Sequence, residues 1–313
     1  MGTARKRDTA TPWPGKGRFS LDDEEAYRKW REVKLAAYPR RAEDLIVEVG
    51  SLSHPTDAEC EAIRDRVARA NIAIYACMRA DERRGALYRP GVFTMARKFG
   101  LTTLEAHRSR RADGLVPIEV ASKDDAARAA FIPYSTAALS WHTDGYYNGE
   151  HERIRAMVLH CARQGIAGGE NEVLDQEIAY IRLRDQNPAF VAALMADGAM
   201  TIPEAAEEDG KVRPASSGPV FWLDDKGELN MRYTARKRNI IWAPDETTRA
   251  AAASLAQLLS GKRRESLIIR LKLEPCQGMI CNNVLHNRSS FVDSTEPGQG
   301  RQLLRGRFLE RIQ

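Results

Sequence analysis

Two short segments of the chain carry residue types that can hold a metal ion. The first is Ser140-Trp141-His142-Thr143-Asp144-Gly145. On extended backbone, residues i and i+2 point to the same side, so His142 and Asp144 can offer an imidazole and a carboxylate to one ion. The second is Val284-Leu285-His286-Asn287-Arg288-Ser289-Ser290-Phe291, which follows an apolar stretch and supplies another imidazole. A lone His-x-Asp is a weak signal, because a His–Asp pair on a surface gives the same pattern; the distal histidine in its context strengthens it. Two imidazoles and one carboxylate on one face leave coordination positions open, as in non-haem iron(II) oxygenases. Open positions are needed where a bidentate co-substrate and dioxygen must both bind.

A third element, Arg301-Gln302-Leu303-Leu304-Arg305, begins 15 residues beyond His286. At i and i+4 of a strand, Arg301 and Arg305 share a face. Facing inward they would be two buried cations, costly unless paired, and a guanidinium fork suits a carboxylate. Facing outward they would be two solvated arginines on an edge strand, and the pattern alone leaves both readings open.

The elements that must position these residues are largely strands. Leu45–Val49, Ile72–Cys77, Val116–Val120, Ala156–Ala162, Ala199–Pro203, Pro219–Leu223, Glu228–Thr234, Ser266–Leu273, Gly278–Asn282 and Gln302–Leu309 read as strands, with Asp224 to Gly227 as a hairpin turn. Helices are expected from Ser20, as cap, to Ala37, and over Thr56–Arg69, Asp175–Arg182, Pro188–Ala196 and Asp245–Leu259, the last closed by Gly261. Arg89–Leu101 fits either a helix or an irregular segment. Strands surround inserted helices without regular βαβ alternation, which predicts a mainly β chain with flanking helices around an antiparallel barrel or jelly-roll core. Residues 1–20, basic and rich in Gly, Pro and Thr, read as a flexible tail, and residues 21–313 as one domain with helical insertions.

Composition removes several alternatives. No stretch approaches the length of a membrane span, and the N-terminus has no apolar core of a secretory signal, so a cytoplasmic protein with no membrane partner is expected. The five cysteines, Cys60, Cys77, Cys161, Cys276 and Cys281, are odd in number and lack Cys-x-x-Cys spacing, which argues against a disulfide framework or a zinc knuckle. The net charge is +5, but the arginine pairs are scattered among acids, so no nucleic-acid partner is expected. Of the other histidines, His160 lies in an apolar strand and reads as a core residue, His151 is flanked by charges, and His54 and His107 have no metal-like context. Tyr146, Tyr147, Trp222, Tyr233 and Trp242 could in principle cage a quaternary ammonium; core or lid roles are the preferred reading. Homo-oligomerisation is left open.

Four pieces, in order, resemble the group of taurine dioxygenase, gamma-butyrobetaine hydroxylase and clavaminate synthase. Trp141-His142-Thr143-Asp144 is similar to the family's first metal motif, Gly168-Gly169-Glu170-Asn171 to its Gly-Gly-acid-Thr loop, Leu285 to Phe291 to its His-Gly-Arg-x-x-Phe segment, and Arg301 to Arg305 to its Arg-x-x-x-Arg strand. The resemblance covers roughly residues 130–310. Two positions depart from it: Asn171 stands for the usual threonine, and Asn287 for a common glycine.

The resemblance implies a double-stranded β-helix (jelly-roll, cupin-like) core and an iron(II)- and 2-oxoglutarate-dependent dioxygenase. His142, Asp144 and His286 would hold Fe(II). Arg301 and Asn171, or Arg305, would take the far carboxylate of 2-oxoglutarate. O2 would be consumed, succinate and CO2 released, and a small-molecule substrate hydroxylated. In such enzymes the second arginine grips an anionic group of the substrate, so Arg305 points to an acid, amino acid, betaine or sulfonate. The runner-up is a hydrolase or lyase using another divalent metal on the same scaffold, which would need no arginine clamp. A third reading, a non-catalytic ligand-binding barrel, sits poorly with a complete triad.

Overall fold

The computed structural model describes residues 15–79, 88–106, 114–122, 125, 128, 131–206, 212–236, 240–261 and 267–313. Two sheets dominate. The larger has six strands in the order Ile46–Val49, Ile72–Cys77, Gln277–Cys281, Ala156–Arg163, Gln302–Phe308 and Val116–Ile118. The smaller has four, Ile269–Leu271, Asn171–Leu174, Leu285–Arg288 and Leu139–His142. All pairings within them are antiparallel except Ile46–Val49 with Ile72–Cys77. That parallel pair needs a crossover, and the helix Asp57–Ala70 supplies it.

Alternation along the strands divides the apolar residues between two cores. Met157, Leu159, Cys161 and Leu303 of the larger sheet join Trp141, Val173 and Leu285 of the smaller one in a core between the sheets. Val158, Leu304 and Phe308 point the other way and pack with Ile63, Val67, Val92 and Met95 of the covering helices. Burying both faces of the larger sheet fits its near-continuous apolar strands. Among the described residues no helix is long and apolar enough to cross a membrane.

Most boundaries follow local chemistry. Thr56 and Glu59 cap Asp57–Ala70 reciprocally, the hydroxyl accepting from Glu59 N–H at 3.3 Å and the carboxylate from Thr56 N–H at 2.7 Å. The open segment near Arg89 is helical over Tyr88–Arg97. The first helix corrects the expected start. It spans Glu24–Ala37 with Asp23 as cap, whose carboxylate accepts from Ala26 N–H at 3.1 Å, while Ser20 accepts from Asp22 N–H at 3.2 Å instead. The segment 1–20 expected as a tail falls mostly outside the described residues. Residues 1–14 lie outside the described ones, but Phe19 and Ser20 are buried, with Phe19 edge-on to Trp30 and Tyr180.

Candidate active site

His142 ends its strand and His286 lies on the neighbouring one, directly opposite it in register. The rings are 4.2 Å apart between centroids. Asp144 follows two residues after His142, and its Oδ1 lies 3.7 Å from His142 Nε2. Ligand atoms of His142, Asp144 and His286 all fall within 4.8 Å of one another, and all three residues are buried. His142 Nδ1 lies 2.9 Å from the Ser140 carbonyl and His286 Nδ1 2.9 Å from the Val284 carbonyl. A carbonyl can only accept, so each Nδ1 carries a hydrogen, which leaves Nε2 as the nitrogen available to an ion, the usual outer support of a metal-binding histidine.

The electrostatics suit a divalent cation. Burial alone would raise the Asp144 carboxyl, but the Arg305 guanidinium and, further off, Arg307 hold it well below the usual carboxylate range. Burial, reinforced by His142, brings His286 down to about 4, so its ring is neutral. Asp144 Oδ2 is buried without a hydrogen-bond partner, which in a folded protein calls for a cation or a donor. Two imidazoles and an ionised carboxylate are a fitting donor set for iron(II).

Asn283 fixes the loop that carries Asp144. Its side-chain oxygen accepts from Asp144 N–H at 2.8 Å, and its amide donates to the Asp144 carbonyl at 3.0 Å and the Ile154 carbonyl at 2.8 Å. Asn283 has φ 49°, a conformation Asn tolerates well.

The Gln302–Phe308 strand and the residue just before it bring three arginines to the site. Arg305 Nη1 donates to Asp144 Oδ1 at 3.3 Å, and Arg305 Nε is buried without a partner. Arg307, two residues on, pairs with Glu105 and donates to the Tyr147 hydroxyl at 3.2 Å. Glu105 in turn accepts from Asn148 at 2.8 Å, so the turn after Asp144 is tied to this strand. Arg301 lies beyond an irregularity in the pairing between Gln302 and Leu303 and is 7% exposed. Arg301 and Asn171 line one cleft, with Cys161, Gly168, Gly169 and Lys272.

A stack of aromatic and guanidinium groups positions Arg301. Its guanidinium carbon sits 4.9 Å from the Phe291 ring centroid, and that of Arg288 sits 4.8 Å from the same ring. Arg288 is anchored by donating to the carbonyls of Pro133, Ser135 and Ala137. Gly168 and Gly169 both have positive φ and lie against this group. A side chain at 168 would collide with the Ser290 carbonyl, and one at 169 would come within 3.6 Å of Arg301 Nε. The glycine pair therefore lets its loop close over Phe291 and Arg301. No acidic side chain of the described residues makes an ion pair with the Arg301 guanidinium; the nearby Asp293 accepts from its backbone N–H at 2.6 Å.

Asn171 is buried at the cleft, but its amide nitrogen donates to the Asn287 carbonyl at 2.7 Å. One of its two amide hydrogens is thereby spent within the protein. Asn287 points the other way, accepting from Glu172 N–H at 2.9 Å. Of the aromatic residues considered for a cage, Tyr146 lies edge-on to His142 at 6.5 Å and Tyr147 lies 5.1 Å from Tyr146. Trp222 is covered by Arg153 at 4.6 Å, Tyr233 is buried, and Trp242 packs against the core. His160 is a core residue bonded to the Tyr75 hydroxyl at 3.1 Å; His54 and His151 are exposed, and His107 lies outside the described residues. All five cysteines are buried and none is in a disulfide.

Sequence reading missed Asn283, Lys272, Arg307 and Glu105, and weighed Tyr147 only as a cage, core or lid residue. Arg305-Gly306-Arg307 has the period of a strand, and that signal alone could have extended the arginine face to Arg307. Nothing local marks Asn283 or Glu105, whose roles arise from contacts distant in sequence.

Known proteins resemble this chain in both sequence and fold. The family described as Taurine catabolism dioxygenase TauD, TfdA family matches residues 86–307. A uridine-5'-phosphate dioxygenase from Amycolatopsis sp is 27% identical over 186 residues, 56% of this chain and 62% of that protein. The gamma-butyrobetaine dioxygenase of Homo sapiens is 26% identical over 183 residues, 57% of this chain and 46% of that protein. The chain thus spans less than two thirds of either relative. Among solved structures, an asparagine oxygenase in complex with Fe(II), 2S,3S-3-hydroxyasparagine and succinate superposes with a TM-score of 0.55 at 15% identity, covering 89% of both chains. The non-heme iron oxygenase OrfP in complex with Fe, succinate and (3S)-hydroxy-L-Arg gives 0.59 at 12% identity, covering 82% of both.

Proposed function

This chain belongs to the taurine catabolism dioxygenase TauD/TfdA family, and on that premise we propose that it is an iron(II)- and 2-oxoglutarate-dependent oxygenase. The two sheets are read as the walls of a double-stranded β-helix. His142, Asp144 and His286 hold the iron, and the buried, partnerless Oδ2 of Asp144 beside two inward-facing imidazoles carries this assignment. Iron(II) bound there would supply the oxygen-activating chemistry that couples oxidation of 2-oxoglutarate to succinate and CO2 with hydroxylation of a C–H bond.

The protein's own residues do the positioning. Arg301, stacked on Phe291 and without an acidic partner, receives the far carboxylate of 2-oxoglutarate as a charge-assisted pair. Asn171 faces the same cleft and contributes its remaining amide hydrogen. Arg305 keeps Asp144 ionised and presents its unpartnered Nε toward the prime substrate. The buried surroundings of the three ligands exclude bulk water.

The prime substrate is a small molecule with an anionic group. Arg305 favours it, and the substrates in both relatives' names, a nucleoside phosphate and a betaine, each carry one. The test is substrate-dependent release of succinate from 2-oxoglutarate, screened over amino acids, betaines, sulfonates and nucleoside monophosphates in the presence of Fe(II). Release that needs both metal and 2-oxoglutarate supports the reading; a purified protein that binds neither overturns it.

A further inference from the structure

Arg301 is not the only cation on its cleft. Lys272 lines it as well, and among the described residues no aspartate or glutamate does. The placement follows from strand register. Leu271 pairs with Asn171, so Lys272 stands one residue beyond, just past the end of the outermost strand of the smaller sheet, on the side of Glu170 at the lip. Arg301 is deeply buried on the other wall, whereas Lys272 is half-exposed.

The fields around the cleft agree with this placement. Burial pushes the Cys161 thiol up to about 12, and both Arg301 and Lys272 oppose that rise from two sides. The Glu170 carboxyl is held down first by the Ser289 hydroxyl, 2.5 Å away, and also by Lys272. Glu170 is thus engaged elsewhere, and no ion pair between it and Lys272 forms within 4 Å. The neutral amides of the cleft are partly spent, Asn171 donating to the Asn287 carbonyl and Gln164 to the Leu273 carbonyl.

We propose that Lys272 is a specificity-determining residue for the co-substrate: a second cation, at the lip of the cleft, that selects an oxo acid bearing a far carboxylate. A flexible ammonium can follow a carboxylate that the fixed guanidinium of Arg301 grips from below. Because Lys272 is partly solvated, its contribution is smaller than that of Arg301 and falls as salt rises. The inference rests on the function proposed above, since it concerns the same co-substrate.

The experiment is calorimetric binding of 2-oxoglutarate to the Mn(II)-loaded protein without oxygen, with 2-oxobutyrate as the analogue that lacks the far carboxylate. Lys272→Met should weaken 2-oxoglutarate about two- to fivefold, Lys272→Arg should restore it to near the wild-type value, and Lys272→Glu should weaken it further than methionine does. Binding of 2-oxobutyrate should be the same in wild type and Lys272→Met. If Lys272→Met binds 2-oxoglutarate as wild type does, or weakens both oxo acids equally, the role of Lys272 is overturned while the proposed function stands. If the wild-type protein binds neither oxo acid, the proposed function fails and this inference fails with it.

Discussion

Two groups of buried charge in this molecule are built on opposite plans. At the first, Lys34 of the N-terminal helix reaches Asp175 at 2.6 Å and Glu177 at 2.5 Å. Asp175 also accepts from Asn71 at 3.0 Å and Glu177 N–H at 2.7 Å. Every charge there has a protein partner, and the group joins the first helix to the start of Gln176–Gln186. At the second, the cations of the C-terminal strand answer only in part to protein acids. Arg307 has Glu105, Arg305 has one long contact to a carboxylate that also faces the metal position, and Arg301 has an aromatic ring. Burying a cation without a counter-ion costs stability, and a protein keeps such an arrangement where something else is meant to complete it. The contrast separates charge that holds the fold from charge that serves a ligand.

The sharpest way to break that contrast is at the metal triad. His286→Ala should abolish iron binding and lower substrate-dependent succinate release by at least about a hundredfold, with the far-ultraviolet circular dichroism of the folded protein unchanged. Substantial turnover in this variant would remove the triad. Lys34→Met is the converse. It strands two buried carboxylates and should cost about 3–5 kcal/mol of stability in chemical denaturation, while the molecules that remain folded bind iron as before.

A finer test compares the arginines. Arg301→Ala should raise the KM for 2-oxoglutarate about 10- to 100-fold, the value of a charge-assisted contact, and leave the denaturation midpoint unchanged or higher. Arg305→Ala should weaken the prime substrate about tenfold yet leave slow, substrate-independent decay of 2-oxoglutarate running. Measuring both reactions in each variant assigns the two roles, and an exchanged pattern would exchange the assignments.

The residues of the candidate site were legible because strand periodicity is rigid. His142 and Asp144 share a side, and the arginine pair faces inward as one of its two readings allowed. The strand Ile72–Cys77 and the turn from Asp224 to Gly227 were equally plain, the latter from its Asp and Gly. What escaped were contacts made across the chain. Asn283 reads as an ordinary turn residue until its side chain is seen closing on Asp144, and Glu105 reads as a surface acid until Arg307 is placed beside it. The start of the first helix was misplaced by three residues because Ser20 and Asp23 are both good caps; the residue before Ser20, Phe19, is held instead by Tyr180, through its ring and its carbonyl.

The opposed histidines carry a consequence for how the smaller sheet is held. His142 and His286 are cross-strand partners in one ladder, so an ion gripping both rivets two strands that are separated by nearly half the chain. A slip of one residue in either strand would turn one imidazole away and forfeit the ion. Chelation and correct alignment are thus thermodynamically one event, and metal affinity contains part of the free energy of zipping the ladder. Manganese should slow amide exchange along Leu139–His142 and Leu285–Arg288 by at least about tenfold at saturating metal, and leave Ile46–Val49, on the far edge of the other sheet, exchanging at its own pace.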